Sequence, residues 1–202
     1  LILTCIVFFK SAIADLSSIS GASMQPTLLD GDKIWVNKVA YDVKVPFTEI
    51  SLKRLSAPKR GDIVIIDSKK AGKRLVKRII GIPGDTILMQ SNTVTINGKP
   101  VNYKILSEDS EAITIQESID RSHKIKVTNN FSQGRIRTFG PAQVPAEEFF
   151  VLGDNRDNSA DSRVYSFIPR GELIGRSSSV VFSLDNENYF FPRAKRFFSR
   201  LD

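Results

Sequence analysis

A single histidine, a single cysteine and a single tryptophan in 202 residues remove several chemistries before any motif is sought. With only Cys5, no internal disulfide framework can form, and no Cys/His cluster offers a metal site or a cofactor. The lone His123 lies in Asp120-Arg121-Ser122-His123-Lys124, with no apolar neighbour before Ile125. That setting reads as a solvated surface residue rather than a base. Long apolar runs are equally scarce. Leu1 to Phe9, interrupted only by Thr4, would span roughly 14 Å as a helix, about half of a ~30 Å hydrocarbon core. It fits the outer half of a membrane helix that starts before Leu1, a short buried helix, or a signal-peptide remnant. The net charge of +7 raises nucleic acid as a partner. However, the basic residues are scattered and no aromatics interleave with them as a stacking array, so nucleic acid is not expected. A basic balance also suits work beside anionic lipid. Repeats are absent and helical periodicity is confined to the two ends.

What is present centres on residues 19–32. Ser23 stands between Ala22 and Met24, and Pro26-Thr27 follows as a turn. Small residues let a substrate backbone come close, and a proline-fixed turn holds a hydroxyl still. A surface serine before a turn has the same pattern. If Ser23 is a nucleophile, His123 is a poor base for it, which leaves a carboxylate or a lysine. Lys77 differs from the lysines in charged runs: it sits in Leu75-Val76-Lys77-Arg78-Ile79-Ile80. Alternation along a strand puts Lys77 and Arg78 on opposite faces, so one of them shares a face with apolar neighbours where water is scarce. The alternative is an edge-strand lysine that blocks aggregation.

Four blocks occur in order: Ser23-Met24-Gln25-Pro26-Thr27-Leu28, Arg60-Gly61-Asp62-Ile63-Val64, Lys77-Arg78 followed by Gly81 and Pro83-Gly84-Asp85, and Gly153-Asp154-Asn155-Arg156-Asp157-Asn158-Ser159-Ala160-Asp161-Ser162-Arg163. Together they resemble the boxes of bacterial type I signal peptidases, membrane-anchored Ser/Lys proteases that remove signal peptides from exported proteins. The resemblance implies Ser23 as nucleophile, Lys77 as general base and Ser159 as the hydroxyl that orients the lysine. It implies ion pairs among Arg78, Asp154, Asp161 and Arg163 that hold the last loop, with Arg78 meeting Asp154 or Asp161. It implies an oxyanion hole from the Ser23 backbone N–H. Relatives offer a serine hydroxyl at the position of Gly21, so a second donor, Ser20 included, is open, and Gly21→Ser is expected to be tolerated. Ile19, Met24, Leu28 and Val76 are the expected pocket for small side chains, with the Ile19 edge pairing the substrate as an added strand. Preprotein signal peptides and membrane phospholipid are the expected partners, with secretion machinery a further one. The expected location is the bacterial cytoplasmic (inner) membrane, with the catalytic domain on the extracytoplasmic, periplasmic side.

The expected fold is mainly β: an antiparallel catalytic core with an inserted smaller β subdomain and the remnant of an N-terminal anchor helix. Strands are expected at 33–41, 63–66, 75–82, 86–90, 93–96, 148–152 and 173–182, with a two-residue hairpin turn at Asn97-Gly98. Residues 41–57 read as loop and 69–74 as a basic hairpin tip. The expected division is 1–14 anchor end, 15–96 and 146–188 core, 97–145 insert and 189–202 a basic-aromatic tail. That tail fits either an interfacial membrane contact or a frayed terminus. Two other readings are a conjugation-type or self-cleaving Ser/Lys processing peptidase, and an inactive membrane-anchored β-rich binding protein.

Overall fold

The computed structural model describes residues 13–45, 48, 50–129, 136–186 and 188–201; the apolar run before Ile13 lies outside them. No helix among the described residues is long and apolar enough to cross a membrane. In chain order the strands are β1 (Ala14–Ser18), β2 (Asp32–Asn37), β3 (Asp42–Lys44), β4 (Ser51–Arg54), β5 (Ile63–Ser68), β6 (Lys73–Gly81), β7 (Thr86–Gln90), β8 (Thr93–Ile96) and β9 (Lys99–Pro100). They continue with β10 (Asn102–Glu108), β11 (Ala112–Ser118), β12 (Ser122–Thr128), β13 (Phe139–Gln143), β14 (Glu148–Leu152), β15 (Ile168–Pro169), β16 (Leu173–Asp185) and β17 (Phe191–Pro192).

The main sheet runs β1-β2-β16-β5-β6-β14-β15, with β17 beside β16, and its pairings are antiparallel. As expected from Ile63-Val64-Ile65-Ile66, β5 is buried on both faces. Val64 and Ile66 join one apolar cluster with Leu75 and Val151, while Ile63 and Ile65 join another with Met24 and Ile34. A continuous apolar run, rather than an alternating one, is what a strand between two cores requires. A third cluster packs Ile80 and Phe150 against Ile87 and Val94, which seats the sheet β13-β7-β8-β9 on the main one. Strands β10-β11-β12 form a separate sheet. Asn97 (φ 52°) and Gly98 (φ 75°) make the expected two-residue turn, both in the left-handed region.

Three expectations need correction. Residues 41–57 are not all loop, because β3 and β4 pair as a hairpin. All four residues of β4 are exposed, so no alternation marks it; its neighbourhood is fixed from afar by Arg170, which bonds Asp42, Tyr41 O and Ser56 O. His123 is not solvated. It is buried as the cross-strand partner of Glu117, with Nε2 2.9 Å from Glu117 Oε2. The tail is not frayed: Ser199 O accepts from Val180 N, Leu201 N donates to Ser178 O, and Arg196 bonds Asp32.

Candidate active site

The segment after β1 folds back on itself, with Ile19 N donating to Asp32 O and Gly31 N to Ile19 O. Met24 and Leu28 are pinned in the core, and Leu28 N closes a turn on Met24 O at 2.9 Å. Two anchored apolar side chains thus flank Ser23 and leave its hydroxyl at a cleft of about 420 Å³, walled by residues 17–24, residues 73–77, Asn158 and Ala160.

Lys77 comes from β6. Its Nζ lies 2.9 Å from Ser23 Oγ and 2.9 Å from Val76 O. It is 2 % exposed and Arg78 is 1 % exposed, so both faces of this strand are dry and Lys77 is not the solvated charge that blocks aggregation. Burial lowers the Lys77 pKa to about 8, against an opposing pull from Asp161 and Asp154. Those carboxylates do not cancel the effect because each is held by a guanidinium. Arg78 Nε and Nη2 meet Asp154 at 2.9 and 2.8 Å, and Arg163 Nε and Nη2 meet Asp161 at 2.8 Å. Burial works against ionisation of both acids, but the arginines outweigh it and hold each carboxyl below its ordinary range.

The strand's edge is open beside the site. β14 pairs β6 only from Arg78 onward, so Lys73 to Lys77 have β5 on one side and the cleft on the other.

The loop after β14 holds the nucleophile segment from behind. Asn155 N donates to Ser23 O at 3.1 Å, Asn155 Nδ2 donates to Ala22 O at 3.0 Å, and Thr27 Oγ1 donates to Asp154 Oδ2 at 2.5 Å. At Gly153 a Cβ would fall on Ser159 Oγ and the Ser23 carbonyl oxygen, so only glycine lets loop and nucleophile approach this closely.

Most predicted site residues converge here, with three corrections. Ser159 does not hydrogen-bond Lys77; its Oγ donates to Asp161 Oδ2 at 2.7 Å, since that buried carboxylate is the stronger acceptor. Ile19, Met24 and Val76 line the cleft, whereas Leu28 is 0 % exposed and belongs to the core. Gly21 has φ +90°, so a serine there is strained by about 1–3 kcal/mol and is not the neutral change expected. Gly21 N is engaged by Asp30 Oδ1. The Ser23 N–H makes no hydrogen bond among the described residues, as a donor waiting for an oxyanion must.

Sequence reasoning missed the ties that bind this loop to β11 and β12. Arg156 Nη2 meets Glu117 Oε2 at 2.5 Å, Asp157 accepts from Thr128 N and Arg137, and Lys126 N donates to Asp154 O. The one local signal was the hairpin that makes Glu117 and His123 cross-strand neighbours.

A pH dependence follows from the lysine. Only neutral Lys77 can accept a proton, so kcat/KM for a peptide substrate is expected to rise with pH through about 8 and then level off. A profile flat from pH 6 to 10 contradicts this. The stability sign is separate. A folded pKa below the unfolded value means that the unfolded chain binds more protons between about 8 and 10.5. Raising pH across that window therefore relieves the burial penalty, which is at full size below it.

Comparison with known proteins gives a consistent result. The family model described as "Signal peptidase, peptidase S26" matches residues 1–182. The chain is similar to signal peptidase I of Bacillus licheniformis, 37 % identical over 168 residues that cover 81 % of this chain and 74 % of that protein. It is 28 % identical to signal peptidase I of Pseudomonas aeruginosa over 198 residues, 90 % of this chain and 69 % of that one. A solved signal peptidase I from Enterococcus faecalis V583 shares 32 % identity, covering 60 % of this chain and 97 % of its own, with a TM-score of 0.41.

Proposed function

Because this chain belongs to the signal peptidase family, peptidase S26, we propose that it is a membrane-bound serine endopeptidase that removes N-terminal signal peptides from exported preproteins with a Ser23/Lys77 dyad. The observation that carries the reading is the 2.9 Å contact between Lys77 Nζ and Ser23 Oγ in a setting that lowers the lysine pKa. Neutral Lys77 takes the hydroxyl proton as Ser23 attacks the carbonyl carbon at the cleavage site. The Ser23 N–H, and the Ser20 hydroxyl where it can turn inward, stabilise the oxyanion. The tetrahedral adduct expels the new amine, which takes the proton from Lys77, and leaves an acyl-enzyme on Ser23. Lys77 then deprotonates the water that hydrolyses the ester. Ser159 acts indirectly: it and Gly153 N both bond Asp161, which fixes the carboxylate whose charge bears on the lysine.

Ile19, Met24 and Val76 give the cleft an apolar wall that suits small side chains before the cut. The open edge of β6 and the segment at Ile19 suit an extended substrate as an added strand. Residues 15–96 and 146–188 make the catalytic unit and 97–145 the insert. Partly exposed Ile13, Leu16 and Trp35, two of them paired across β1 and β2, support contact with phospholipid. So do exposed Tyr189, Phe190 and Phe191 in the tail. In this reading the catalytic unit works on the extracytoplasmic face of the cytoplasmic membrane, where it receives substrates from the secretion machinery. Incubating the chain with a preprotein in detergent tests the proposal. One cut after a small residue, mapped by mass spectrometry, is expected, and an intact preprotein contradicts it.

A further inference from the structure

A second cavity, about 450 Å³, lies between the tail and β12, with Pro26 and Thr27 in its wall. It shares Ser122, Arg200 and Leu201 with a neighbouring hollow of about 890 Å³ that adds Arg121 and Phe198. The charge is one-sided. Arg121, Lys124, Lys195, Arg196 and Arg200 line the two hollows and no carboxylate does. Arg196 is neutralised by Asp32. The other four enter no ion pair among the described residues. His123 stands in the same wall, 5 % exposed, and its Nδ1 has no hydrogen-bond partner. A buried ring nitrogen without a partner is uncommon in a folded protein.

We propose that this cavity binds a phosphate group, held by Lys124, Lys195 and Arg200 with the His123 ring at its wall. A phosphate brings several charged oxygens to one point and so satisfies several cations at once, whereas a single carboxylate engages one or two. Phe198, 79 % exposed, lines the adjoining hollow and favours a phosphate carried on a lipid headgroup over the free anion. The inference does not depend on the peptidase reading, because a Ser23→Ala chain would bind equally well.

The only histidine in the chain provides the probe. Inorganic phosphate is exchanged for chloride at fixed pH and ionic strength, with the full chain in non-ionic detergent, while the imidazole ¹H–¹⁵N signals are followed. A saturable shift is expected. In a Lys124→Gln/Lys195→Gln/Arg200→Gln variant its midpoint should rise by about tenfold or more, since each lost contact is a charge-assisted bond. The three side chains are exposed and unpaired, so the variant should keep the circular dichroism of the parent, and loss of it would be seen directly. In parallel, dihexanoyl phosphatidylglycerol is titrated below its micelle concentration. Tighter binding than phosphate assigns the site to a lipid headgroup, and weaker binding assigns it to the free anion. The proposal is overturned by a shift that never saturates or by a triple variant with the parent's midpoint.

Discussion

Ser23→Ala and Lys77→Met each bring preprotein cleavage down by at least about 10⁴-fold while the fold stays intact, the size seen when a member of a nucleophile–base set is lost. The two losses should not add, because the serine is inert without a base and the base idle without the serine. The methionine substitution separates chemistry from packing. It fills the buried lysine's volume without its nitrogen, and it removes a cation that burial disfavours, so unfolding in urea should be unchanged or shifted upward. Cleavage by Lys77→Met within tenfold of the parent would remove the lysine from the mechanism and return the role to a carboxylate. Among the described residues Asp161 is the only acid bonded to Ser159, and it is occupied by Arg163.

The largest expected loss of stability lies one residue along the same strand. Arg78 and Asp154 are each 1 % exposed and meet at two points. Asp154→Ala takes from a buried guanidinium the carboxylate that meets it at two points, which costs about 3–5 kcal/mol. It also removes the acceptor for Thr27, so activity should fall with stability. Arg54 and Glu147 meet at a similar 2.9 Å, but with side chains 63 % and 54 % exposed; in water such a pair contributes at most about 1 kcal/mol. The comparison is made by urea unfolding of Asp154→Ala beside Glu147→Ala. Equal midpoints would show that the buried pair is not what holds the loop.

The nucleophile and base were legible because their signals are local: a serine in a small-residue turn, a lysine in an apolar run, and a histidine count of one. A continuous apolar run marked β5, and turn chemistry marked β7 and β8, for the same reason. The rest depends on contacts across many residues. β4 shows no face to the core, so its place is marked by contacts distant in sequence, such as Arg54 with Glu147 and Arg170 with Ser56 O. The polar neighbours of His123 point outward from a strand whose other face is buried, and a polar sequence window cannot distinguish that from a solvated loop. Ser159 was assigned to the lysine by resemblance, yet its hydroxyl goes to an acid two positions away. A serine at Gly21 was expected to be tolerated, but β1 ends at Ser18 and the chain turns through a positive φ before Ser23.

The ties from the loop at 153–163 to β11 and β12 bear on how the molecule responds to heat. β10 exposes six of its seven residues, and β11 and β12 bury only a few. Regions of low apolar burial open at lower free energy than a core does. Since Arg156 and Asp157 are anchored in that thinner sheet, its opening releases the loop that grips Ser23 while β5, β6 and β16 remain paired. On warming, catalysis therefore ends at a reversible local melting step, and the temperature at which activity fades lies below the one at which the main sheet unfolds.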